Sequence, residues 1–450
     1  MLEKKKNAGK PCGCREKPKI IPGGARRLSF VLFCTVMLLS NEQKKEVSKM
    51  KKYKIIAVLC AACLLLCAAG CGSGGNVPAS EAPAGTTSGG ESVTASYSAN
   101  SGGVLDTADV FTGRDLKQTA DTSDAEDITV QSGKNVDITA EGVYVITGTA
   151  ENCTIRVDAD GSEKVQLVLS GVNIKNDSTP AIYVVSADKC FITTAEGTEN
   201  TLAVSGKFTA DGSTKTDAVI FAKDDIVLNG LGTLRVDSAM GNGVTGKDGV
   251  RITGGVYNVT AAGHGFEAND HIAVCGDADI TVNADEDGLH AENDDDDALG
   301  WILLADGTLN ISVGSDGIHA NSVCQIDDGT ITVKAGEGIE ATYVQLNGGR
   351  VSIDAADDGV NAGWKSDAYD ATVEITGGEI SITVGQGDTD GIDSNGDVII
   401  SGGTVNITAP MSAIDYDGKA VYTGGTIIIN GEQVDSIPEP AMGGGPGGGW

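Results

Sequence analysis

Amphipathic-helix periodicity is missing from the second half of this chain, and aromatic residues are few: three Trp, nine Tyr and seven Phe in 450 residues. The 63 glycines follow no Gly-X-Y period, which excludes a collagen-like helix. Basic residues are scarce beyond residue 54. Residues 1–54 hold 15 Lys and Arg with four Asp and Glu, leaving 17 basic against 59 acidic residues downstream. So negative a surface repels phosphate backbones, which sets nucleic acid aside as a partner. It suits divalent cations. No metal-type CxxC pair occurs among Cys153, Cys190, Cys275 and Cys324. These read as single buried apolar side chains, or as one disulfide whose pairing the spacing leaves open.

What the chain has instead is a repeat. The stretch 388–409, DTDGIDSNGDVIISGGTVNITA, runs from an acidic-Gly turn into a short strand, a Gly-Gly turn and a second alternating strand. The same start recurs at Gly243, Gly265, Gly288, Gly317, Gly338, Gly359, Gly391 and, with alanine, at Ala413. Successive starts are 22, 23, 29, 21, 21, 32 and 22 residues apart. A period in the twenties marks stacked coils. Val, Ile and Thr in period-2 runs predict strands whose inward aliphatics form one column. Strand–crossover–strand connections are overwhelmingly right-handed, so the predicted fold is all-β: a right-handed parallel β-helix of roughly 21–23-residue coils. It is expected over 104–435, with looser coils and a cap at 127–240 and a flexible Gly-rich tail at 436–450.

Residues 51–71, KKYKIIAVLCAACLLLCAAGC, form a basic region, an apolar run and small residues before a cysteine. They resemble a bacterial lipoprotein signal. The resemblance implies cleavage before Cys71, a lipid on its sulfur, and anchoring at the extracellular face of the cell membrane. Residues 1–49 precede Met50, a natural start for a signal at 50–71, and read as an upstream extension from a mis-chosen start. Residues 72–103, rich in Gly, Ser, Ala and Thr, read as a flexible tether.

Stacking turns sequence columns into spatial ladders. Before each start stand Asn242, His264, Asp287, Asp316, Glu337, Asp358 and Asp390; two places after it stand Thr245, Glu267, His290, His319, Glu340, Asn361, Asp393 and Asp415. Like charges one strand apart repel and raise one another's pKa unless cations sit between them. Ca²⁺ takes six to eight oxygens in flexible geometry, and Asp285, Asp287, Asp316, Glu340, Asp357, Asp358, Asp390 and Asp393 are its candidate ligands. The bland alternative is that Asp-Gly pairs only supply turn conformations. His290 and His319, neighbours in one column, could ligate a transition metal or be hydrogen-bonded structure.

Two coils are longer in the same way. From the start to the second residue of the Gly-Gly-type turn takes 19 residues at Gly288 and Gly359, against 12 at Gly243, Gly317 and Gly391. Both insertions follow Gly-x-x-Ala and leave the same edge three coils apart. They bring Trp301, Trp364, Lys365 and Tyr369, candidates for sugar contact because rigid rings suit flat sugar faces and loops on rigid scaffolds carry binding. Core packing is the competing reading for Trp301.

The segments AIYVVSADK, AVIFAKDDIVLNGLGTLRV and GVTGKDGVRITGGVYNVTAA, with the repeated DGI turns, resemble the bacterial carbohydrate-binding domain-containing surface proteins over about 126–430. That resemblance implies a parallel β-helix related to the pectate-lyase superfold. It also implies calcium held by turn carboxylates, here Asp287, Asp316, Asp358, Asp390 and Asp393, and binding of cellulose or a polyuronate. The expectation is a monomeric, calcium-containing binding protein. The alternatives are a non-catalytic adhesin and a calcium-dependent lyase. A lyase needs a Lys or Arg base: Lys223, Lys247, Lys334, Arg350 or, foremost, Lys365.

Overall fold

The computed structural model describes residues 93–387 and 389–440. The expected extension, signal and lipidation site Cys71 lie outside the described residues. Among the described residues every regular element is a strand, and no helix is long and apolar enough to cross a membrane.

The strands stack as parallel ladders. Short strands at the start of each repeat make a 12-stranded sheet, here called the first ladder. A 24-stranded sheet contains the second and third ladders. These join through two long strands, Gly142–Glu151 and Lys164–Asn176, the latter pairing with both Lys189–Thr194 and Glu199–Val204. In the first ladder the register runs Val244, Phe266, Leu289, Ile318, Ile339, Val360, Ile392, Ile414, each residue one repeat beyond its partner. All eight are buried in one continuous core with the aliphatics of the other ladders. Each buried aliphatic of this kind stabilises the stack by about 1.5–3 kcal/mol.

The starting glycine is required by space. A Cβ on Gly317 would collide with Cγ1 of Val333 and the carbonyl of Gly338, and one on Gly391 with Ile407 and the carbonyl of Ala413. Ala413 is the last start: among the described residues no first-ladder strand lies beyond its own. The second residue of the Gly-Gly turn is required by conformation, with φ of 85° at Gly378 and 74° at Gly403. The stack closes where Thr426–Ile429 turns at Asn430-Gly431, both with positive φ, into the antiparallel strand Glu432–Val434.

Two expected boundaries move. The tail was expected from 436, yet Ile437 is buried in the core. The tether was expected through 103, yet the chain is hydrogen-bonded from Val93 and packed from Tyr97. Residues 93–118 form a strap over the outer side of the second ladder, folded back on itself by bonds from the Ala95 N–H to the Leu116 carbonyl and from the Gln118 N–H to the Val93 carbonyl (2.8 Å each). Leu105, Val110 and Phe111 cover Ala273, Cys275, Leu303 and Val323. Lys189 Nζ donates to both oxygens of fully buried Asp115 at 3.1 Å, and Arg251 Nε to the Val110 carbonyl at 2.8 Å. Cys153, Cys190, Cys275 and Cys324 are all buried and unbridged.

Candidate functional site: a histidine and carboxylate edge

The first ladder carries two adjacent columns of polar side chains. At four positions the residue before a start caps the next coil. Asn242 Oδ1 accepts the His264 N–H at 2.9 Å, His264 Nδ1 accepts the Asp287 N–H at 3.2 Å, Asp287 Oδ1 accepts the Asp316 N–H at 2.9 Å, and Asp358 Oδ1 accepts the Asp390 N–H at 2.7 Å. A short side chain bearing an acceptor suits each of these positions. The second column runs in register through Thr245, Glu267, His290, His319, Glu340, Asn361 and Asp393.

In the middle of this edge every carboxylate meets nitrogen. Asp287 Oδ2 lies 2.7 Å from His290 Nδ1 and 3.2 Å from His264 Nδ1. His319 Nδ1 lies 2.9 Å from both Asp316 Oδ2 and Glu340 Oε2, and Lys365 Nζ is 2.6 Å from Glu340 Oε1. The rings of His264, His290 and His319 stack, with centroids 4.3 and 4.8 Å apart. Burial works to raise the Asp287 carboxyl, but the adjoining His264 and His290 rings and the bond from the Asp316 N–H outweigh it and hold the group well below the usual carboxylate range. Burial likewise opposes charge on His319, yet its bonds to Asp316 and Glu340 push it up to about 10.

Toward the C-terminal end carboxylates face carboxylates. Burial first, and then the charge of Glu340, pushes Glu337 up to about 8. Burial, followed by the charges of Asp358, Asp390 and Asp415, pushes Asp393 up to about 6. Among the predicted calcium ligands, Asp358 and Asp390 stand near enough to Asp393 for their charges to raise its carboxyl. Asp287, Asp316 and Glu340 are engaged by His264, His290, His319 and Lys365. Asp285 and Asp357 are exposed on the turns.

The two insertions meet: Ser366 Oγ donates to the Asp297 carbonyl at 2.5 Å. The N–H groups of Lys365 and Ser366 donate to Thr342 Oγ1 at 3.0 and 2.8 Å, which fixes the base of the second loop. That loop presents Trp364 at 62% exposure. The other predicted aromatics are taken up in packing. Trp301 stacks on His271 at 4.3 Å with an 8° interplanar angle, half-buried against the strap's apolar cluster. Tyr369 is half-buried near Tyr343, with centroids 6.5 Å apart. Two participants had no role in the sequence reading: His264, visible only as one column entry, and the strap. The runs HIAVC and WILLA were the available signal for the strap, since strands apolar at every position must be covered on both sides.

These features define an all-β, parallel-stranded solenoid whose polar first-ladder edge is its densest chemistry. The chain belongs to the carbohydrate-binding domain-containing protein family, whose profile matches residues 132–391. A relative from Acetivibrio thermocellus, described as a carbohydrate-binding domain-containing protein, is 37% identical over 132 residues, 29% of this chain and 46% of the relative. The chain thus matches about half the length of that relative. A solved polysaccharide lyase-like protein from C. thermocellum is 20% identical, covering 70% of this chain and 99% of the other at a TM-score of 0.29.

Proposed function

We propose that this protein binds a polysaccharide, cellulose or an acidic polymer of the polygalacturonate kind, along the first-ladder edge between Glu340 and Asp393. The observation that carries the reading is Trp364: a tryptophan 62% exposed on a loop pinned by Ser366 and Thr342, beside the Lys365–Glu340 ion pair. A large ring held out to water on a fixed base adds nothing to the core and suits a sugar face. Family membership supports the class of ligand.

Calcium belongs to the same proposal. The oxygen-only donor set of Asp358, Asp390 and Asp393 fits a hard cation, and the upward shift of Asp393 reflects negative charge gathered there. Calcium would neutralise that charge and make the edge receptive to an acidic polymer. Lys365 serves binding better than base catalysis, because Glu340 stabilises its ammonium and raises its pKa despite the opposing effect of burial. Anchoring through a lipid on Cys71 would place a monomeric protein on the extracellular face of the membrane.

Trp364→Ala tests the site. Retention on a polygalacturonate or cellulose matrix is expected to fall about tenfold, the scale of one lost hot-spot ring, with the thermal midpoint nearly unchanged. Unaltered retention would remove Trp364 from the binding surface.

A further inference from the structure

The ladder repeats one three-position arrangement: the residue before a start, the residue before the next start, and the residue two places after that next start. At Asp358, Asp390 and Asp393 all three are carboxylates. At His264, Asp287 and His290 they are imidazole, carboxylate and imidazole, and their ligand atoms lie within 4.8 Å of one another. Donors about 2.1 Å from a tetrahedral ion stand roughly 3.4 Å apart. The 3.2 Å between Asp287 Oδ2 and His264 Nδ1 is near that edge, whereas His290 Nδ1, at 2.7 Å from the same oxygen, must draw back by about 0.7 Å to admit an ion.

The far nitrogens supply an independent observation. His264 Nε2 lies 3.3 Å from Glu286 Oε2, and His290 Nε2 lies 3.3 Å from Glu292 Oε2. Each imidazole is therefore set between two carboxylates. A neutral ring whose Nε2 proton is held by the outer carboxylate directs its Nδ1 lone pair inward, as metal-binding histidines do. His264 Nδ1 also receives the Asp287 N–H at 3.2 Å, the mark of a lone pair on that nitrogen. In that tautomer His290 Nδ1 turns its lone pair to Asp287 Oδ2 and a cation between them would take it up, while at His264 the cation would replace the Asp287 N–H as the partner of Nδ1. Protonating both rings instead would stack two imidazolium ions 4.3 Å apart.

We propose that His264, Asp287 and His290 form a site for a borderline divalent transition cation of the Zn²⁺ class, chemically distinct from the carboxylate cluster at Asp393. Two nitrogens and one oxygen match that class, whereas Ca²⁺ prefers oxygen alone. The site is open on one side: His264 and Glu286 line a groove of about 560 Å³ with Lys207, Phe208, Lys215 and Glu267. A fourth ligand, water or a group of a bound molecule, can enter from there. The inference stands whether or not Trp364 binds sugar.

The full chain, stripped of metal with a chelator and dialysed, is titrated calorimetrically with ZnCl₂ in excess Ca²⁺ near neutral pH, alongside His264→Gln, His290→Gln and Asp393→Asn. The expected result is saturable Zn²⁺ binding to the wild type and to Asp393→Asn, weakened at least about tenfold in each histidine variant. Co²⁺ titration of the unaltered protein, read by visible absorption, keeps the test independent of how the variants fold: an intense tetrahedral spectrum is expected. No Zn²⁺ binding by the wild type, equal binding by the histidine variants, or a weak spectrum of hydrated Co²⁺ would each overturn the proposal and leave a network closed by protons.

Discussion

Two stretches of one edge share a backbone and differ in chemistry. Around the three stacked imidazoles Asp287, Asp316 and Glu340 each meet an imidazole or ammonium, and Asp287 stays ionised despite its burial. From Glu337 to Asp415 carboxylates crowd together, and Glu337 and Asp393 are pushed upward. The parallel register that places like positions one strand apart is common to both. The solenoid therefore supplies geometry, and the residue in each column decides whether a coil neutralises its own charge or calls for an ion. Function is carried by the column residues rather than by the fold.

The larger expected effect that would break this contrast concerns His319. Its pKa, raised from 6.5 to about 10 in the fold, means a stabilisation fully present below about pH 6.5 and lost as pH rises through about 10. In chelator, the unfolding free energy from urea titration should fall over that window by on the order of 2 kcal/mol, and His319→Gln should flatten the fall. An unchanged slope in the variant would mean the ring carries no such charge. Asp393 behaves oppositely. A carboxyl raised to about 6 costs stability when ionised, a cost absent below about pH 4 and complete above about pH 6. Asp393→Asn should thus gain about 1 kcal/mol in chelator at alkaline pH, nothing in acid, and lose its stabilisation by calcium. Equal midpoints in calcium and chelator for the wild type would erase the difference between the two stretches.

Much of this was legible in the sequence. The column of starting glycines is visible because a Cβ at Gly317 or Gly391 has nowhere to go, and the substitution at Ala413 marks the last first-ladder strand. Columns fixed in this way place His290 beside His319 and Asn361 beside Asp393. Side-chain pairing was not legible. Asp287 and Asp358 occupy equivalent positions and looked alike, yet two imidazoles claim the first. The strap was missed because residues 93–118 have no periodicity of their own; their bonds go to partners such as Lys189 and Arg251, which sequence separation conceals. For Trp301 the sequence left core packing and sugar contact both open, and the strap and the stacked His271 decide between them, leaving Trp364 as the bare ring.

The most direct test of the central claim is retention of the protein on polygalacturonate in calcium and then in chelator, with absorbance of unsaturated product followed in the same tubes. The account predicts retention in calcium, release by chelator and no product. Product formed in calcium and abolished by chelator would make the edge a lyase site; no retention on polygalacturonate or on cellulose in parallel would contradict polysaccharide binding altogether.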